Sequence, residues 1–427
     1  MISRYAWYLR EVLRKVWVRV ASFAALAIVS AVLARVLSPY LPTAISLHTG
    51  SEAVSQLLGV LTSSMLAVTT FSLSIAVSAF AAAAGSATPR ATVLLQEDRT
   101  TQNVLATFLG AFLFGLVGLV ALYAEFYDAS GKVVVFLFTI AVIGLVVVAL
   151  IRWIDHLMRF GRMEDTLDRV ERAAAQALGQ RLDDPFLGGR PMVGPPPHGC
   201  TVVSAPVTGY VQHVDMKALQ GRAEAIDAQL FLHRMPGAFV AVGEPLLSAA
   251  SDSLDQDEAQ VIRRAFAIGT RRTFEGDPRF GLIVLTEIAS RALSPGVNDP
   301  GTAIEILGRL VRILSQWREP TEPEIRFDRV HVPPITARDA LEDAFKPIAR
   351  DGAALAEVQL RLVKSLASLG RLAPGIFVEP AHAITLEALA HSEAASLLET
   401  DLVRLRVAAG LAPAPVTPVP AGGENPL

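Results

Sequence analysis

Residues Thr62–Phe80 read TSSMLAVTTFSLSIAVSAF. The stretch is apolar enough to lie in a bilayer, yet it carries the hydroxyls of Thr62, Ser63, Ser64, Thr69, Thr70, Ser72, Ser74 and Ser78. On a helix that turns about 100° per residue, Ser63, Thr70, Ser74 and Ser78 fall within about 80° of one another, joined by Ala67, Ala81 and Gly85. Thr62, Thr69 and Ser72 lie on the opposite side. One face is small and polar throughout, so the expectation is a helix surrounded by protein or water and not by lipid. Such a face has two physical uses. Small residues let helix backbones approach closely and hydroxyls bond across, or several copies around an axis form a pore wall of hydroxyls that partly replaces an ion's water. Phe71 and Phe80 are the candidates for a constriction along that path.

The rest of the chain supports a membrane setting. It has 427 residues, 52% hydrophobic and 19% charged, a balance too apolar for an ordinary soluble domain and long enough for two domains. The formal net charge of -3, with no basic cluster bearing interleaved aromatics, gives no support to a nucleic-acid partner. Cys200 is the only cysteine, so neither an intramolecular disulfide nor a cysteine-based zinc site can form. The basic start MISRYAWYLREVLRK leads into an apolar segment without a convincing cleavage site, which reads as a retained first helix.

Four segments have the length and apolarity of spans, at about 17–37, 57–84, 104–123 and 133–154, each needing roughly 20 residues. Arg4, Arg10, Arg14 and Lys15 precede the first, Arg90 and Arg99 separate the second from the third, and Arg152, Arg159 and Arg162 follow the fourth. Those sides are expected in the cytoplasm, with both termini. The outer loops hold Glu52, Glu125 and Asp128 against Lys132, and Tyr40, Tyr123 and Tyr127 suit an aromatic belt there. Ionisable residues are absent from the middles of the spans, which favours a passive pore or no transport over a coupled transporter. In a pore, Glu52, Glu125 and Asp128 would mildly favour cations.

Beyond the spans, Phe160, Met163, Leu167, Val170, Ala174 and Ala177 recur at spacings of three and four, predicting that the fourth span runs on as a helical extension, 157–181, whose short seam packs on its own domain. The Gly/Pro-rich DDPFLGGRPMVGPPPHGC, 182–200, predicts a linker. Split β-branched runs predict a small β unit over 201–250, whose PGAFVAVGEPLL resembles the turn-and-strand pattern of lipoyl and biotinyl domains. Lys217 precedes that pattern and opens a helix, which argues against a cofactor-carrying lysine. Residues 251–410 read as helical, with starts in the acidic run SDSLDQDEAQ and at Asp277-Pro278 and Asp299-Pro300, where Asp277 and Asp299 are expected caps. Further helices are expected over 337–345, 351–369 with Gly370 as the stop, and 381–409. The Pro-rich tail 411–427 reads as disordered.

Catalytic and ligand-binding patterns are scarce. The histidines, His48, His156, His198, His213, His233, His331, His382 and His391, show no metal-ligand spacing, and no P-loop, GxSxG or Rossmann glycine pattern occurs. The expectation is no enzyme, no metal and no cofactor. Arg271 and Arg272 beside two helix starts invite an anion, unless Asp277 and Asp299 already fill those ends.

The stretch DPRFGLIVLTEIASRALSPGVNDPGTA, with TTFSLSIAVSAF ahead of a Pro-Arg and the segment from Asp98 to Gly110, resembles the domain-of-unknown-function 2254 family of predicted bacterial membrane proteins. The resemblance implies four membrane helices followed by a cytoplasmic domain, and it assigns no catalytic or ligand residues. The chain departs from the family's pattern at SAFAAAAGSATPR. Taken together, the expectation is an α-helical polytopic protein of the bacterial plasma membrane, with a four-span domain at 1–156 and a cytoplasmic α+β domain. Its expected partners are the lipid bilayer, further copies in a homo-oligomer, and ions if the second span lines a channel. The alternative is a membrane-anchored scaffold with no transport.

Overall fold

The computed structural model describes residues 16–37, 51–96, 98–126, 129–251, 254–318 and 324–411. Arg4, Arg10, Arg14, Lys15, Tyr40, His48, Tyr127, Asp128 and residues 412–427 lie outside them. The chain divides into two compact units, Met1–Thr166 and Leu167–Leu427.

The first unit is all helix. Its helices are α1 (Val16–Leu37), α2 (Ser51–Ser86), the short α3 (Thr92–Gln96), α4 (Arg99–Tyr123) and α5 (Ala129–Leu157). They exceed the expected spans because amphipathic turns continue beyond the apolar runs; α2 alone has 36 residues, about 54 Å of helix. Among the described residues three stretches are long and apolar enough to cross a membrane, Glu52–Ser86, the one ending at Tyr123, and Gly131–Leu157. In α1 the apolar stretch is the shorter Val20–Val36. The core is apolar side chains brought inward from each helix, among them Ala34, Leu58, Met65, Phe108, Phe114, Val135 and Trp153.

The fourth expected span does not run on. After Leu157 the helix breaks, and Gly161 takes φ +77° with its α-carbon against Ala79, where a β-carbon would collide. Periodicity continued across the break and concealed it. Phe160 turns instead toward Ala76, Ala83 and Leu95, so the seam starts only at Leu167.

The second unit opens with α6 (Met163–Asp183, its first turn belonging to the first unit) and mixes strands with helices. In order come β1 (Gly189–Pro191), β2 (Thr201–Ser204), β3 (Gly209–Val214), α7 (Met216–Ala225), β4 (Leu230–Leu232), β5 (Phe239–Val240), β6 (Pro245–Ala249), α8 (Gln256–Arg263) and β7 (Phe266–Gly269). Helices α9 (Phe280–Ala292) and α10 (Pro300–Leu314) follow, then β8 (Phe327–Val332), α11 (Ala337–Asp351), α12 (Ala356–Leu372), α13 (Pro374–Ala394) and α14 (Glu399–Ala408). One sheet has the order β1-β8-β4-β6-β2, the other β5-β3-β7. Strand β8 pairs in parallel with both β1 and β4.

Three expectations change here. The Gly/Pro stretch is not merely a linker, since Gly189–Pro191 forms a strand against β8. The β unit is not confined to 201–250: β7 and β8 come from the region read as helical. Gly370 does not stop a helix; α12 runs through it to Leu372, and α11 reaches Asp351. Lys217 does sit in the first turn of a helix, capped by Asp215, and the acidic run opens α8 through a capping box of Asp255 and Glu258.

Candidate functional site

Helix α2 has two unlike faces. Leu58, Leu61, Met65, Ser72, Ala76 and Ala83 are buried. There Gly115 and Gly118 of α4 receive the other helix: a β-carbon on Gly115 would overlap the Thr62 hydroxyl, and one on Gly118 would press on Leu58. Close approach at small residues is what joins helices without a hydrophobic drive between them. The α4 glycines therefore take the Thr62 side of α2, not the stripe.

The stripe itself lies open. Ser63, Ala67, Thr70, Ser74, Ser78, Ala81 and Gly85 are all exposed. Glu52 and Gln56 are exposed too and, at about 100° per residue, continue the same face toward the start of the helix. Three of the four stripe hydroxyls are satisfied within the helix. Ser63 donates to the Gly59 carbonyl at 2.9 Å, Thr70 to Leu66 at 2.9 Å and Ser74 to Thr70 at 3.1 Å, as Thr62 and Thr69 do to Leu58 and Met65 on the other side. Donation to the carbonyl one turn back is how Ser and Thr sit in an apolar helix without an orphaned donor. What remains outward is the oxygen's lone-pair side.

The constriction candidates separate. Phe71 is 68% exposed beside the stripe. Phe80 is on the far side, packed edge-on against Phe160 at 5.8 Å, so it is a packing residue and not a constriction. Of the outer charges, Glu52 and Glu125 are exposed. Ser55 Oγ and Tyr123 OH approach to 3.4 Å, placing both glutamates at one end of the unit.

At the opposite end stands a polar group that the sequence did not single out. Asp98 caps α4, its Oδ2 accepting from Thr101 N at 2.7 Å and Thr101 Oγ1 at 2.8 Å. His156 Nε2 lies 3.1 Å from the same oxygen and 3.1 Å from Thr101 Oγ1, and the imidazole ring lies against Phe160 at 4.8 Å. Beside this knot α4 and α5 enclose a cavity of about 520 Å³. Thr100, Asn103, Val104 and Thr107 line it from α4. From α5 and just beyond come Leu145, Val148, Ala149, Arg152, Asp155, His156, Arg159 and Asp165. Part of the signal lies in the sequence: Thr100, Asn103 and Thr107 share a helix face, as do Val148, Arg152 and Asp155. The topology reading uses Arg152 and Arg159 only as cytoplasmic-side charges and does not bring them together with Asp155.

In the second unit the candidate anion site is occupied by the protein's own carboxylate. Asp277 is 2% exposed; its Oδ1 accepts from the backbone of Arg279 and Phe280, both at 3.1 Å, while Arg272 donates to both its oxygens. Helix α9 starts two residues later than Pro278 at N1 would require. Asp299 caps α10 as expected, with Pro300 at N1, and the Thr302 hydroxyl and backbone hold its carboxyl below the usual range. Burial lowers His213, His233 and His331, and pushes the buried Arg181 down to about 10, with Asp184 opposing. Among the described residues no three His, Cys, Asp or Glu converge as a metal set.

Comparison with known proteins places the chain. Two uncharacterized proteins, one of Mycobacterium bovis and one of Mycobacterium tuberculosis, are each 30% identical over 242 residues, covering 54% of this chain and 46% of the relative. The match thus spans under half the length of those relatives. No solved structure matches. The family described as "Predicted membrane protein (DUF2254)" matches residues 14–368. With apolar helices in the first unit and that match over most of its length, the chain belongs to the domain-of-unknown-function 2254 family of predicted membrane proteins.

Proposed function

We propose that the protein is a homo-oligomeric channel of the bacterial plasma membrane, with four spans, both termini in the cytoplasm, α2 lining the axis and the second unit serving assembly or gating. It is not an enzyme and needs no cofactor. The observation that carries this reading is the open face of α2, where Glu52, Ser63, Thr70, Ser74 and Ser78 stay exposed while the opposite face is buried. From Glu52 to Ser78 that face runs about 39 Å with Val60, Leu66 and Val77 exposed beside it, and its polar side chains are natural against an aqueous axis. Hydroxyls whose protons go to their own backbone turn oxygen lone pairs outward, and oxygen is the ligand that replaces water around a cation. With Glu52 and Glu125 at one end, the preference is weakly cationic.

The satisfied hydroxyls also favour a second reading, a membrane-anchored scaffold in which the stripe is a helix–helix seam with no transport. Flux separates the two. Protein in liposomes is tested under Na⁺, K⁺ and Cl⁻ gradients, with Ser74→Leu as control. The channel requires cation flux that Ser74→Leu abolishes in a correctly assembled protein. Equal flux through Ser74→Leu removes α2 from the axis; no flux under any gradient from oligomeric, inserted protein favours the scaffold.

A further inference from the structure

The α4–α5 cavity changes character along its length. Val104, Leu145, Val148 and Ala149 make one part apolar; one turn farther along α5 the lining becomes Arg152 and Asp155, followed by Arg159 in the turn after the helix. Among the described residues these three side chains enter no ion pair, although Arg152 and Asp155 stand on the last turns of α5 and Arg159 in the turn that follows it. The knot of Asp98, Thr101 and His156 closes the adjoining wall and fixes the ends of α4 and α5 against each other.

We propose that this groove is a phospholipid site. The headgroup phosphate is held by Arg152 and Arg159, an ammonium on the same headgroup faces Asp155, and an acyl chain lies along Val104, Leu145 and Val148. Three observations combine. The groove sits at the ends of two apolar helices, where headgroups meet hydrocarbon. Its order, apolar and then charged, is the order of a phospholipid, and about 520 Å³ holds a headgroup with the first part of one chain. Both signs are present, since Asp155 lines the same rim as Arg152 and Arg159. A rim of mixed sign matches a zwitterion; a headgroup with several negative charges would leave the carboxylate opposed to it. A free phosphate would gain nothing from the apolar half, and exposed guanidinium groups alone hold a small anion weakly. The site rests on membrane insertion and not on channel activity, and it lies on helices other than the one bearing the stripe.

The test is lipid retention by the full chain, delipidated in detergent and given an equimolar mixture of phosphatidylethanolamine and phosphatidylglycerol, read by native mass spectrometry. The expected result is one retained phosphatidylethanolamine per chain, unaffected by millimolar inorganic phosphate. Loss of the charge-assisted bonds in Arg152→Gln/Arg159→Gln weakens retention about tenfold or more. Val148→Trp, at an exposed position that spares the core, blocks the apolar half and weakens it comparably; this variant keeps the test sound if the double variant misfolds. Equal retention by both variants overturns the site. Displacement by inorganic phosphate makes it a site for free anions, and tighter phosphatidylglycerol than phosphatidylethanolamine overturns the headgroup assignment.

Discussion

Two helices of this molecule carry a stripe at helical spacing, and they end differently. On α6 the stripe of Leu167, Val170, Ala174 and Ala177 is buried within its own unit. On α2 the stripe of Ser63, Thr70, Ser74 and Ser78 stays open. The reason lies beside the stripes. Asp168 and Glu171 flank the α6 seam three residues apart, and Arg309 and Arg312 of α10 present guanidinium groups at the same spacing: Arg309 reaches Asp168 at 2.6 Å and Glu171 at 2.7 Å, and Arg312 reaches Glu171 at 2.7 Å. The α6 stripe has its complement in the chain. The hydroxyls of Ser63, Thr70 and Ser74 bond within their own helix, so periodicity shows that a face is distinct, and matched flanking chemistry shows whether the same chain closes it.

The closed seam should break most readily where backbones are nearest. A β-carbon on Gly281 of α9 would overlap the Ala174 side chain, so Gly281→Val overpacks a buried contact and should cost about 2–3 kcal/mol. Thermal unfolding of the full chain in detergent measures it, and adding Ala174→Gly should recover part of the loss. Unchanged melting would mean that the seam is looser than its geometry. Arg309→Met comes next. The Arg309 side chain is 5% exposed, but Asp168 and Glu305 are about half exposed and Arg312 still serves Glu171, so about 2 kcal/mol is expected, below the loss from breaking a fully buried pair. Ser74→Leu on the open stripe should leave the same melting curve in place.

Acid provides a third, smaller contrast. Burial alone would raise the Glu171 carboxyl, but Arg312 and Arg309 outweigh it and hold it below the ordinary value. Its contribution is therefore complete above the unfolded value of about 4.3 and is lost as pH falls through the lower folded value. His213, His233 and His331, lowered chiefly by burial, act sooner: the unfolded chain takes up protons below about 6.5 while the folded unit resists them. Hydrogen exchange should show the second unit losing protection from about pH 6.5 downward, with the hydroxyl-bearing part of α2 unchanged. Equal loss in α2 would mean that its open face is coupled to a titrating group.

Much of this was legible in the sequence because it depends on local pattern. The spacing of Ser63, Thr70 and Ser74 gave the face, and Asp299-Pro300 and the acidic run SDSLDQDEAQ each gave a helix start. What was not legible depends on distant partners. Gly189–Pro191 is a strand only because β8, well over 100 residues later, lies beside it; a three-residue strand carries no period of its own. The break after Leu157 hid because Phe160 keeps helical spacing while turning to a different cluster. Arg152 and Arg159 were counted for topology, and their shared cavity required α4 to be placed against α5.

The smallest expected effect tests the open side most directly. Glu52 is exposed on the stripe face, and a symmetric assembly would bring its copies around one mouth. At about 0.1 M salt the screening length is about 10 Å, so such a ring acts locally and weakly. Glu52→Gln should lower the K⁺ over Cl⁻ permeability ratio by no more than about threefold at low salt, with the difference fading as salt rises. Folding should not change, because the Glu52 side chain is exposed. A selectivity change with that salt dependence ties the glutamate to the mouth and makes the open stripe a conduction path. Selectivity that ignores both Glu52→Gln and ionic strength means that this end of α2 faces something other than the permeating ion, and the open face is then a seam awaiting a protein partner.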